Sequence, residues 1–89
     1  MEMVNLFATS LSEIAGITLA HCVGLLRLAI KDAGLSPDQA LTYHDFKQVF
    51  EIHLNKRLKA IDVKNADAVI VKLTQVLNEK QSLITMAAH

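Results

Sequence analysis

The chain has no tryptophan, one cysteine, one proline and three glycines among its 89 residues, and its only aromatics are Phe7, Tyr43, Phe46 and Phe50. Each shortage excludes something. A lone cysteine, Cys22, rules out an intramolecular disulfide and fits a reducing compartment. So little proline and glycine, beside 52% hydrophobic residues, excludes a disordered or low-complexity chain. With so few aromatics the core has to be aliphatic, which favours packed helices. Charge of one sign is also missing: nine basic and nine acidic residues cancel, which removes the overall electrostatic case for nucleic acid or an anionic membrane. The cancellation hides a split, since residues 1–45 hold two basic against five acidic residues and residues 46–89 hold seven against four.

Nor is there a long hydrophobic run. The most apolar stretch, IAGITLAHCVGLLRLAI at residues 14–30, is bounded by Glu13 and Lys31 and contains Arg27. A spanning helix needs about 20 apolar residues, so no transmembrane span is expected. The opening MEMVNLFATSLSE lacks the positive start of a signal peptide, and the expected location is cytoplasmic. A chain of this length forms one domain over residues 1–89, with a core small enough that oligomerisation would add needed burial.

Helix signals divide the chain. The first helix is expected from about residue 3 to about residue 33, with a break near Ser10, where Ser10 and Glu13 have capping-box spacing, as its variant. Gly34 ends it by supplying a left-handed position. Ser36, Pro37, Asp38 and Gln39 combine an N-cap, a first-position proline and an early acid, so a helix is expected to start there. Thr42 with Asp45 repeats the cap spacing. From Tyr43 the residues Phe46, Val49, Phe50, Leu54, Leu58 and Ile61 draw one apolar stripe in steps of three and four. A break at residues 62–65, capped by aspartate or asparagine, precedes a last helix with Ala66, Val69, Ile70, Leu73, Val76 and Leu77 inward, extending toward Leu83 and Ile84. Val71 falls outside that stripe.

The fold class that follows is all-α, a small bundle of four to five helices around a long, largely apolar first helix. An open, saposin-like leaf of amphipathic helices is the alternative, although the cysteine framework of that family is absent.

Chemistry-bearing patterns are scarce. LTYHDFKQVF resembles the end of an EF-hand loop, but the register puts Gly34 at the first ligand position and Gln39 where the loop needs glycine. His44 and His53, nine apart, fall on opposite sides of a helix. Tyr43, His44 and Asp45 read as a cap with a solvated histidine. No nucleophile elbow, phosphate loop or metal-ligand spacing is present, so no enzyme, no metal and no cofactor are expected. Lys56, Arg57 and Lys59 form the one basic cluster that could touch phosphate, a weak basis for nucleic-acid binding.

What remains is the glycine spacing in residues 14–30. If these residues are helical, Gly16, Ala20 and Gly24 lie on one smooth face, with Glu13 before them and Arg27 and Lys31 after. Small residues at such spacing let another backbone approach closely. That face is expected to pack within the chain or against another copy. The leading expectation is therefore a non-enzymatic interaction module, self-associating as a homodimer or higher homo-oligomer. A carrier of a lipid or other apolar ligand, held between helices, is the alternative, and a small nucleic-acid-binding protein through Lys56, Arg57 and Lys59 is the second.

Overall fold

In the computed structural model, which describes residues 2–88, the chain is all-α. Helix α1 covers Glu2–Ala15 and α2 covers Leu19–Asp32. A long connection leads to α3, Tyr43–Gln48, which runs on without interruption through a π-helical segment, Val49–Leu54, into α4, Asn55–Ala60. Helices α5, Ala66–Glu79, and α6, Gln81–Ala88, complete the fold.

The expected long first helix is two helices. Their axes turn by 119° at the break, and the turning residue is Gly16 at φ +70°, a conformation that costs any L residue about 1–2 kcal/mol and glycine almost nothing. The Ser12 hydroxyl donates to the Ile17 carbonyl, and the Cys22 thiol donates to the same oxygen at 3.8 Å. These contacts close the corner. No break occurs at Ser10, which lies inside α1.

Gly34 behaves as its position implies. At φ +78° it closes α2, with Leu35 N donating to Ile30 O at 3.1 Å and Gly34 N to Lys31 O at 2.9 Å, the paired bonds of a Schellman motif. The same pair recurs at the end of α4, where Val63 N donates to Leu58 O and Asp62 N to Lys59 O, and Asp62 occupies the left-handed position at φ 57°. Asp62 thus ends one helix rather than capping the next. Asn65, at φ 59°, precedes α5 without a side-chain cap bond.

The helix expected from Ser36 does not form. Asp38 N donates to Ser36 Oγ at 3.3 Å and Gln39 N to Ser36 O at 3.3 Å, so the serine closes a turn around the buried Pro37. The real start is Thr42, where Asp45 N donates to Thr42 Oγ1 at 3.1 Å and Thr42 N to Asp45 Oδ2 at 3.0 Å, a complete capping box.

The π-helical segment has a packing reason. Steps of four along an α-helix rotate the stripe by about 40° each, so Phe46, Phe50, Leu54 and Leu58 would drift well away from one inward direction. A π turn takes more residues per revolution and reverses that drift. Phe46, Val49, Phe50, Leu54 and Leu58 are all buried, while Ile61, past the helix end, is exposed.

The core closes around three rings. Phe7 of α1 lies 5.0 Å from Phe46 and 5.2 Å from Phe50, centroid to centroid, and Phe46 and Phe50 are 6.0 Å apart. Leu25, Leu26, Ala29 and Ile30 of α2, Leu73 and Leu77 of α5, and Ile84 of α6 fill the shell. No polar or charged residue is buried among the described residues. The radius of gyration is 11.7 Å, close to the roughly 12 Å of a closed domain this long. An open saposin-like leaf does not fit that closed core.

Candidate interaction surface

Helix α2 packs against α1 and the π-helical segment through one side only. That side carries Cys22, Leu25, Leu26, Ala29 and Ile30, all buried. The other side faces outward with Leu28 44% exposed; Leu19, nine residues earlier and so on the opposite side of the helix, is exposed at the helix start. Beside Leu28 on the outward side Ala20 is exposed and Gly24 is half-buried. A two-faced apolar helix of this kind leaves unburied surface that water covers poorly.

The smooth strip expected at Gly16, Ala20 and Gly24 changes with the corner. Gly16 belongs to the turn and shares no helix face with Gly24. No atom outside the glycine's immediate surroundings lies within 4 Å of where a Cβ would stand at either glycine, so no other helix of the chain packs closely there. Ala20 and Gly24 keep their common face, and Leu28 continues it one turn on. The exposure of Leu28 is not legible in the sequence, because it depends on which side of α2 the corner turns inward.

Charged residues flank α2 in the chain. Glu13, in the last turn of α1, and Lys31, in the last turn of α2, are both exposed and carry no ion pair among the described residues. Arg27 lies 3.7 Å from Asp38. Asp32, beside Lys31, is engaged elsewhere: Arg57 Nε and one terminal nitrogen donate to its two oxygens at 2.7 and 2.9 Å. This fork joins α2 to α4. The hydrogen bonds from Arg57 hold the Asp32 carboxyl below the usual carboxylate range, and those bonds raise the guanidinium further.

The basic cluster does not act as a free patch. Arg57 is committed to Asp32, and Lys59 Nζ lies 3.3 Å from Asp67, which leaves Lys56 as the member with no ion pair among the described residues. Asn55 Nδ2 also donates to Asp67 at 3.0 Å. That bond, with the Lys59 contact, keeps the Asp67 carboxyl low.

An open groove of about 520 Å³ lies between the π-helical segment and α5. Glu51, Asn55, Asp67, Thr74, Gln75 and Asn78 line it together with Ile70 and the exposed Val71, and the Tyr43 hydroxyl donates to Asn78 Oδ1. Two carboxylates and three amides make it a poor berth for a lipid, since an apolar ligand would strip their hydration. Both carboxylates already have lysine partners, with Lys47 Nζ 3.9 Å from Glu51. Asn55 Oδ1 is buried without a partner and sealed from solvent, so it offers the groove nothing.

The stretch that resembles an EF-hand exit is the Ser36 turn followed by the Thr42 capping box, and Asp45 is used by that cap. Among the described residues no three His, Cys, Asp or Glu side chains gather as metal ligands. Cys22 is buried, and burial pushes its thiol up, away from the nucleophilic thiolate. No single helix among the described residues is long and apolar enough to cross a membrane; α1 and α2 pass only when taken together, across their corner. The chain matches no protein-family model, no curated protein and no solved structure.

Proposed function

We propose that the chain is a non-enzymatic interaction module whose working surface is the outward face of α2. The observation that carries this reading is the exposure of Leu28, beside Ala20 and Gly24, on a helix whose opposite side is buried. A leucine held out on a helix that the core already fixes brings no backbone ordering cost when a partner covers it. Burying the part of Leu28 that is still exposed contributes about 1 kcal/mol. The flat centre at Ala20 and Gly24 allows a second helix to lie close. Arg57 and Lys59, being engaged within the chain, lend no support to nucleic-acid binding, and the polar groove lends none to a lipid carrier.

A photo-cross-linking amino acid placed at Leu28 tests the surface in living cells, with the same group at Gln75, exposed on α5, as control. Adducts to polypeptide are expected from the first position and not from the second. Absence of adducts at Leu28, or equal yields from both positions, would overturn the assignment.

A further inference from the structure

Apart from the α2 face, we infer that the groove between the π-helical segment and α5 is a binding site for a small neutral polyol, a sugar or a sugar-like molecule. Tyr43 bonds Asn78 while Asn55 bonds Asp67, so the two helices run antiparallel across it. Along α5 the lining extends from Asp67 to Asn78, about 16 Å of helix. Both limiting residues are tied to the facing helix, Asn78 by Tyr43 and Asp67 by Asn55 and Lys59. A short ligand fits between such ties, and a chain threaded along the groove does not. The volume of about 520 Å³ falls within the roughly 300–1,000 Å³ of small-molecule sites.

The hydrogen-bonding groups left over describe what the ligand carries. Asn55 Nδ2 and Lys59 Nζ both reach Oδ1 of Asp67, so Oδ2 remains to accept. The Thr74 hydroxyl gives its proton to the Ile70 carbonyl at 2.8 Å, which leaves its oxygen as an acceptor. Asn78 is the reverse case: Oδ1 takes the Tyr43 proton and the Nδ2 protons remain to donate. Gln75, exposed and engaged by no side-chain bond among the described residues, offers both. A lining that mixes free acceptors with free donors is met by hydroxyls, since each one both donates and accepts.

Charge selects a neutral ligand. Lys47 Nζ stands 3.9 Å from Glu51 and Lys59 Nζ 3.3 Å from Asp67, so each carboxylate of the lining has a cation beside it and the four charges cancel. Val71 completes the match. At 58% it is the most exposed large apolar side chain among the described residues, and it lies between Asp67 and Asn78 in this polar lining, where the C–H face of a sugar ring would cover it.

The test is a titration of the isotope-labelled chain followed by amide shifts in NMR. Glucose, galactose, ribose, maltose, glycerol and myo-inositol are the neutral probes, while glucosamine and glucuronate put a positive and a negative charge on the same ring. Saturable shifts are expected at millimolar concentration from at least one neutral probe, confined to the surroundings of Glu51, Val71, Gln75 and Asn78, with weaker binding of the charged pair. Gln75→Ala and Glu51→Gln, both at exposed positions, should each weaken binding about tenfold and leave the circular dichroism of the parent unchanged.

No saturable shift in the groove from any neutral probe, shifts scattered over the whole surface, or tighter binding of glucosamine or glucuronate overturns the assignment. Equal affinity in the parent and both variants overturns it as well. Cross-linking at Leu28 is read separately, so the α2 face and the groove stand or fall independently.

Discussion

Two glycines eight residues apart should respond with opposite sign to the same substitution. Gly16 sits at φ +70° in the corner between α1 and α2, and open space surrounds its missing Cβ. Alanine there meets no steric obstacle but must adopt the left-handed backbone, at about 1–2 kcal/mol. Part of that is offset because alanine lowers the entropy of the unfolded chain by about 0.4–1 kcal/mol. The net expectation is a loss of about 1 kcal/mol. Gly24 lies inside α2, also with open space around it, so alanine should recover the helix penalty of glycine, a gain of about 1 kcal/mol.

The gap between the two variants is then about 2 kcal/mol, a large share of the roughly 4–13 kcal/mol that holds a chain this long together. In melting temperature it corresponds to about 10 °C. Urea unfolding followed by circular dichroism measures it, with a shared slope confirming that only stability changed. The measurement is made at low protein concentration, because a methyl at Gly24 lies on the outward face of α2. D-alanine at Gly16, introduced by chemical synthesis, should restore or exceed wild-type stability. If Gly16→Ala matches the wild type, α1 and α2 do not meet in a left-handed corner. If Gly24→Ala destabilises the monomer, some part of the chain presses on that face.

Three other outcomes can be checked directly. Phe7→Ala empties the centre of the ring cluster and should cost about 3–5 kcal/mol, enough to leave the chain marginally folded; a melt within a few degrees of wild type would contradict the packing. Asp32 and Asp67 have carboxyls held below the usual range, so the stability they contribute is complete above the unfolded value near 3.9 and is lost as pH falls through the lower folded values. Asp32→Asn should therefore flatten the fall in stability below about pH 4, and an unchanged acid profile would remove the Arg57 fork from the account. Cys22 is buried with its thiol raised, so iodoacetamide should modify it only as the chain opens, and rapid alkylation under native conditions would show the corner to be loose.

Much of the fold is written locally. The Thr42 and Asp45 pair, the inward stripe from Phe46 to Leu58 and the stop at Gly34 rest on interactions a few residues long, and these stand in the structure as their spacing implies. Gly16 and Gly24 show the limit of such reading. Glycine inside a helix and glycine ending one are the same letter, and only the burial of α1 against α2 decides which applies. Ser36 fails for a related reason: its hydroxyl closes a turn and its proline is buried, and both uses fit the residues that also start helices. The candidate surface was half legible. Its small residues stood out by spacing, while the exposure of Leu28 depends on how α2 packs, and the withdrawal of Arg57 and Lys59 into ion pairs depends on partners 25 and 8 residues away in the chain.

The corner at Gly16 also governs how the first third of the chain meets hydrocarbon. Taken end to end, α1 and α2 have the length and apolar content of a bilayer-crossing rod, and the 119° turn divides that rod into two arms too short to cross. A substitution that straightened the corner would do more than loosen the core. It would separate the apolar sides of α1 and α2 that now face each other, laying out one continuous apolar helix in place of a hairpin.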